Sequence, residues 1–231
     1  MTPSPTAKSP ADAASIFHRP ARTRRVDPSL SLERITASTV ALLDREGAAA
    51  LTMRALANEL GAHASSIYWY VDRREDLVDL ATDFVFGPAA GRTPKGDWEH
   101  IIRTTATEMY TALTDHAWAA EFAGQRPLLG PNALTLVSRI IRALDSTGAT
   151  GKDQAIAGTS ISNLVLGAAT ASAAARHLRL DDGESALTQH VIAAVQQVTE
   201  PANPVAAWTA YFDEGLDMLI HGWRTRTGIF T

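Results

Sequence analysis

From residue 31 to 85 the apolar positions recur at helical spacing, each run bounded by a start and a stop signal. Ser31 is placed to cap a helix whose predicted inner face is Leu32, Ile35, Thr39, Leu42 and Leu43, ending at Gly47. Thr52 caps a shorter run in which Met53, Leu56, Ala57 and Leu60 fall at i, i+3, i+4 and i+7. Gly61 closes that run, because glycine tolerates the left-handed backbone of a sharp turn. A second short helix is predicted over 64–70. Asp72 and Glu75 match the acid-bearing capping box that opens a further helix through Val85. Gly87, Pro88, Gly91 and Pro94 then mark a boundary near residue 90.

Beyond that boundary the same period continues and no alternating run suggests a strand. Trp98, Ile101, Ile102, Thr105, Met109 and Leu113 share one face after Asp97. Leu134, Val137, Ile140, Ile141 and Leu144 share another, ahead of Gly148. Thr150 and Asp153 form a second capping box for a long helix to about residue 176. Leu187, Val191, Val195 and Val198 mark a further helix. Asn203 and Pro204 open the last one, which carries Val205, Trp208, Phe212, Leu216, Leu219 and Trp223. The pattern is all-α. Residues 155–175 lack any charge, yet Thr159, Ser160, Ser162, Asn163, Thr170 and Ser172 dot them with polarity. That composition suits close helix packing at a subunit interface better than lipid.

Residues 1–30 are rich in Pro, Ser, Thr and Ala and lack this period, the pattern of a flexible arm. Three segments follow: the arm at 1–30, a compact helical head at 31–90, and a larger helical body at 91–231. The 231 residues include no cysteine, which excludes disulfides, thiolate zinc sites and a cysteine nucleophile. No apolar leader is present in the first thirty residues, so a cytoplasmic protein is expected. The net charge of −4 hides an asymmetry: residues 1–74 carry ten Lys/Arg against seven Asp/Glu, whereas the rest is acidic. A basic working end on an acidic body points toward nucleic acid.

Two short helices across a glycine turn, preceded by a supporting helix, make a helix-turn-helix, whose second helix can enter a DNA major groove. Here that helix lies in HASSIYWYV, with Ile67 and Val71 as its anchors. Ser65, Ser66, Tyr68, Trp69 and Tyr70 then become candidates for base edges or phosphates. Successive helical residues turn by about 100°, so three consecutive aromatics cannot all face one core. Arg54 is a candidate guanine fork, and Arg73 and Arg74 are candidate phosphate contacts. In the arm, Arg19, Arg22, Arg24 and Arg25 read equally as a solvated linker or as a reach toward phosphates and the minor groove.

EGAAALTMRALANELG, SSIYWYV and REDLVDLA together resemble the DNA-binding domain of the TetR family of transcriptional regulators. The tyrosine–tryptophan pair is similar to that of the tetracycline-repressor branch. The resemblance implies a three-helix helix-turn-helix head and a C-terminal helical ligand-binding and dimerisation domain. It implies a homodimer on a palindromic double-stranded DNA operator, most simply a repressor released by a small organic effector. An activator, a regulator without ligand, or a helical carrier or enzyme remain as alternatives.

No catalytic constellation stands out in the body. Glu99-His100 lacks the second histidine of a zinc-protease helix, and the acidic run at 181–184 lacks calcium-loop spacing. We therefore expect no enzyme, cofactor, metal or membrane partner. Gly124-Gln125-Arg126-Pro127 resembles the segment by which tetracycline repressors couple ligand to head movement. Phe122 stands where that branch has a metal-coordinating histidine, which argues against a metal-chelated ligand held in the same way. An apolar or aromatic effector is expected instead, with His100, Arg103, His116, Phe122, Gln125, Arg126, Pro127 and Asn163 as candidate ligand-binding residues.

Overall fold

The computed structural model describes residues 15–19, 30–148, 151–177 and 204–228. Those residues form helices joined by turns, with no strand among them. The predicted helix around Leu187–Val198, and the cap residues Thr150 and Asn203, lie outside the described residues. The chain divides into two compact units, one of residues 1–84 with 128–131, the other of residues 85–127 with 132–231.

In the first unit α1 (Leu32–Glu46), α2 (Met53–Leu60) and the single turn α3 (Ala64–Ile67) precede α4 (Arg74–Val85). Ser31 caps α1 by accepting from the Arg34 N–H, and Thr52 caps α2 by accepting from the Ala55 N–H. Both bonds satisfy backbone donors that have no partner inside their helix. Gly61 stops α2 with φ 63°, the left-handed conformation that swings the chain into α3. The core takes Ile35, Leu42, Leu43, Leu51, Leu56, Leu60, Ile67, Val71, Leu77 and Val78, all at most 5% exposed.

Two local expectations are corrected. Leu32 is 36% exposed, and the buried face of α1 turns instead to Thr36 and Val40. Thr36 can lie there because its hydroxyl donates to the Leu32 carbonyl at 2.8 Å, leaving no lone donor in the interior. The recognition helix is also shorter than 64–70: regular α-helix ends at Ile67, and tighter turns carry the chain through Tyr70. The Trp69 and Tyr70 N–H groups there bond carbonyls three residues back.

The second unit holds α5 (Gly87–Ala90), α6 (Trp98–Asp115), α7 (Ala117–Ala123), α8 (Pro131–Asp145), α9 (Lys152–His177) and α10 (Pro204–Thr227). Long α9 packs along α10 and against α6 and α7. Small residues allow the approach: Ala168, Ala169, Ser172 and Ala173 of α9 are buried beside Ile161 and Val165. A Cβ on Gly215 of α10 would stand 3.0 Å from the Leu164 side chain. Tyr110 stacks on Phe212 with ring centroids 4.4 Å apart, joining α6 to α10. Residues 152–174 are long and apolar enough to cross a membrane by length and composition alone; in this unit their buried stripe is covered by helices. On α8 the buried face is Ala133, Leu136, Ile140, Ala143 and Leu144, whereas the predicted members Leu134 and Ile141 are 43% and 38% exposed. The helix bears two apolar stripes, and the one with the small residues turns inward.

Candidate nucleic-acid interface

Tyr68 and Trp69 stand outward at 49% and 57% exposure, while Ile67 and Val71 on either side are sealed in the core. Aromatic surfaces of this size normally seek cover, so an exposed pair on an anchored turn is a candidate contact surface. Ser65 and His63 are exposed beside them and Ser66 is half-buried. His63 occupies the position before α3, with no side-chain bond to the helix. The sequence reading had not assigned it a role; its place at the helix entry was the available signal. Arg54 is exposed on the first turn of α2, and among the described residues it is the candidate arginine with no protein partner.

The other candidates near the turn are engaged within the head. The Tyr70 hydroxyl donates to the Leu30 carbonyl at 2.5 Å, so that ring holds the chain entering α1. Arg74 donates to the Leu51 carbonyl at 2.8 Å and to the Ala48 carbonyl at 2.7 Å, fastening α4 to the loop before α2. Arg73 pairs with Asp76 at 3.3 Å. Arg19 forms a two-pronged ion pair with the fully buried Asp76, at 2.8 and 2.7 Å, and reaches Asp72 at 2.9 Å. Arg19, Arg73, Arg74 and Tyr70, all expected at DNA, thus each hold a bond inside the head. Arg22, Arg24 and Arg25 lie outside the described residues.

Asp76 was missed from the sequence, where Glu75 was read as the capping acid. The acid that reaches back is one residue later: Asp76 accepts from the Asp72 N–H at 2.9 Å and the Arg73 N–H at 3.2 Å. Burial pushes its carboxyl upward, but hydrogen bonds from Arg19 and Asp72, with the Arg19 charge, outweigh burial and hold it below its ordinary value. The folded head therefore binds that proton less tightly than the unfolded chain. The stabilisation is complete above about pH 4, near the unperturbed carboxyl value, and fades as pH falls through the folded-state value. Melting of the wild-type chain from pH 7 down to pH 3 should show this loss. In Asp76→Asn the melting temperature should be lower at neutral pH and its acid dependence shallower.

The effector candidates are spread over the second unit. Trp118 is buried between tilted rings of His116 and Phe122, at centroid distances of 5.8 and 6.5 Å. Arg126 is half-buried, whereas Gln125, Pro127, His100 and Asn163 are exposed. Arg103 is ion-paired to Asp217 of α10. A cleft of about 260 Å³ lies elsewhere, between Trp98, Ile102, Ile156, Met218 and Trp223, with the Arg226–Asp153 ion pair among its walls. None of the eight predicted residues lines it. The structure groups His116, Trp118 and Phe122.

An anchored helix-turn-helix with an outward aromatic pair, followed by a separate all-helical unit, defines a DNA-binding regulator architecture. Residues 35–81 match the family described as bacterial regulatory proteins of the tetR family, and residues 90–227 match the tetracyclin repressor-like C-terminal domain. The chain belongs to the TetR family of transcriptional regulators. It is similar to an HTH-type transcriptional regulator of Saccharopolyspora erythraea, 36% identical with 98% of each chain covered. It is also similar to the class E tetracycline repressor protein of Escherichia coli, 26% identical over 84% of this chain and 90% of the relative. Among solved structures, apo ActR from Streptomyces coelicolor superposes with a TM-score of 0.69 at 25% identity, covering 88% of this chain and 99% of ActR. ActR in complex with actinorhodin gives 0.67 at 25% identity, covering 86% and 99%.

Proposed function

We propose that the chain is a cytoplasmic repressor that binds a palindromic operator as a homodimer and leaves it when a small organic effector occupies the second unit. The observation that carries this reading is the exposed Tyr68–Trp69 pair on a turn locked by Ile67 and Val71. The DNA face comprises Arg54, Ser65, Ser66, Tyr68 and Trp69. Arg54 supplies a fork for guanine, the serine hydroxyls reach base edges or phosphates, and the rings meet thymine methyls. For the homodimer, α9 and α10 are the interface helices. Their exposed Ile156 (49%) and Met218 (75%) are apolar surface that a second copy would cover.

The relative ActR, solved in complex with actinorhodin, supports a small-molecule effector. In this chain His116, Phe122, Gln125, Arg126 and Pro127 form the segment that would sense it. Release follows from linkage: an effector dissociates the operator only by binding the DNA-incompetent conformation more tightly. A hundredfold loss of operator affinity needs about 2.8 kcal/mol of differential binding.

The test is duplex selection from a random-sequence pool by the full chain, followed by titration of the selected complex with polycyclic aromatic compounds. Selection of an inverted repeat, and its release by at least one compound, is the expected result. Enrichment of no sequence would contradict the reading; tight duplex binding that no compound relieves would favour a regulator without ligand.

A further inference from the structure

The N-terminal segment is fastened to the head at a position with no obvious structural need for it. Arg19, only 18% exposed, reaches across more than fifty residues of sequence to a carboxylate with no exposure at all. Asp76 in turn holds the backbone N–H groups of Asp72 and Arg73, two of the three residues that join the Tyr68–Tyr70 turn to α4. Without Arg19, that carboxylate would keep Arg73 as its charged neighbour, through one longer contact of 3.3 Å.

We infer that Arg19 is a positioning residue for DNA recognition: through Asp76 it fixes the exit of the turn that presents Tyr68 and Trp69, without itself touching phosphate. This inference rests on the DNA-binding reading above and goes beyond it. A planar guanidinium matches a carboxylate with two parallel bonds, so the pair defines an orientation as well as a distance. Lysine would supply the charge and lose the fork. The Tyr70–Leu30 bond holds the same turn from its other side, against the residue that enters α1. The turn is thus held at both Tyr70 and Asp72 by partners N-terminal to the helix-turn-helix. A contact surface held within a few tenths of an ångström binds more tightly than one that must be ordered on contact.

The experiment compares the full wild-type chain with Arg19→Gln, Arg19→Lys, Asp76→Asn and the double variant Arg19→Gln/Asp76→Asn. The probe is the duplex that the wild-type chain selects from a random pool, and affinity is measured at several salt concentrations. Each single variant should bind about tenfold more weakly, the equivalent of 1.4 kcal/mol. The double variant should be no worse than the weaker single one, because both remove the same contact. The slope of log affinity against log salt should stay as in the wild type. In Arg19→Gln the amide protons of Asp72 and Arg73 should exchange faster with solvent while those in the middle of α1 keep their protection. A salt slope flatter by about 0.9 for each arm would identify Arg19 as a phosphate contact and overturn the inference. Wild-type affinity in Arg19→Gln, or additive losses in the double variant, would overturn it equally. If the wild-type chain itself selects no duplex, the DNA-binding reading fails and takes the positioning role with it. Arg19→Lys, which preserves the charge, keeps the comparison available should Arg19→Gln not fold.

Discussion

Replacing Tyr68 and Trp69 together by alanine is expected to weaken operator binding at least a hundredfold while leaving the melting temperature within a degree or two of the wild type. The two halves of this expectation have separate causes. Both rings stand about half exposed or more, so their removal opens no cavity and leaves the core residues Ile67 and Val71 in place. Surface substitutions away from caps and buried bonds usually change stability by no more than about 0.5 kcal/mol. In a protein–DNA interface, by contrast, the same rings are covered by the duplex, and each base position that loses its contact costs about 1–3 kcal/mol. A homodimer loses four rings at once, about 4 kcal/mol or more at that rate, so a hundredfold loss, about 2.8 kcal/mol, is a conservative bound. Equilibrium binding by fluorescence anisotropy beside a thermal melt reads both halves. Loss of fold, or binding within threefold of wild type, would show that the exposed rings do something else.

Gly130→Ala is the substitution expected to disturb the structure most for the smallest chemical change. A Cβ at this buried position would stand 2.1 Å from Cγ and 2.5 Å from Cβ of Asp83, itself only 6% exposed on α4. The Asp83 Cβ is fixed to the helix backbone, so a change of rotamer cannot clear the clash. Either α4 or the 128–131 loop must shift. Overpacking of this kind costs about 1–3 kcal/mol, or about 2–12 °C in the melt of a chain this size. The loop belongs to the first unit although it follows the Gln125-Arg126-Pro127 segment in sequence. The same variant should therefore alter operator affinity or its response to effector as well as the melt. An unchanged melting temperature would mean that the glycine is not needed for close approach.

How much of this was visible in the sequence follows from the range of each interaction. Ser31, Thr52 and Gly61 act on residues three or four positions away, and the caps they suggest are the caps that form. The exposure of Tyr68 and Trp69 was legible because helical geometry forbids three neighbouring rings from sharing one core. Arg19, Arg73 and Arg74 were read for phosphate contact, and the structure adds a partner inside the head for each. Their side chains look like phosphate contacts in a local window, but the partners of Arg19 and Arg74 are more than twenty residues away and invisible to it. Glu75 and Asp76 are neighbouring acids, and only the start of α4 at Arg74 decides that the second one caps. On α8 two apolar stripes compete, and the choice of Ala133 and Leu136 over Leu134 depends on what packs against them. Among the effector candidates, Phe122, Gln125, Arg126 and Pro127 came from a resemblance in one short segment, the others from their polarity in an apolar body. His116 and Phe122 share a neighbourhood around Trp118, whereas Arg103 is held by α10.

The central claim is that two copies of the Ala64–Tyr70 segment straddle one face of a duplex. The chain contains no cysteine, so Asn58→Cys provides a single thiol per protomer at an exposed position of α2 outside the proposed DNA face. Spin labels placed there report the separation of the two heads by electron–electron dipolar spectroscopy. On the selected duplex the account requires one narrow distance, consistent with recognition segments a single helical turn of about 34–36 Å apart, broadening or shifting when effector is added. An absence of dipolar coupling, or a distance incompatible with that spacing and indifferent to DNA, would contradict it.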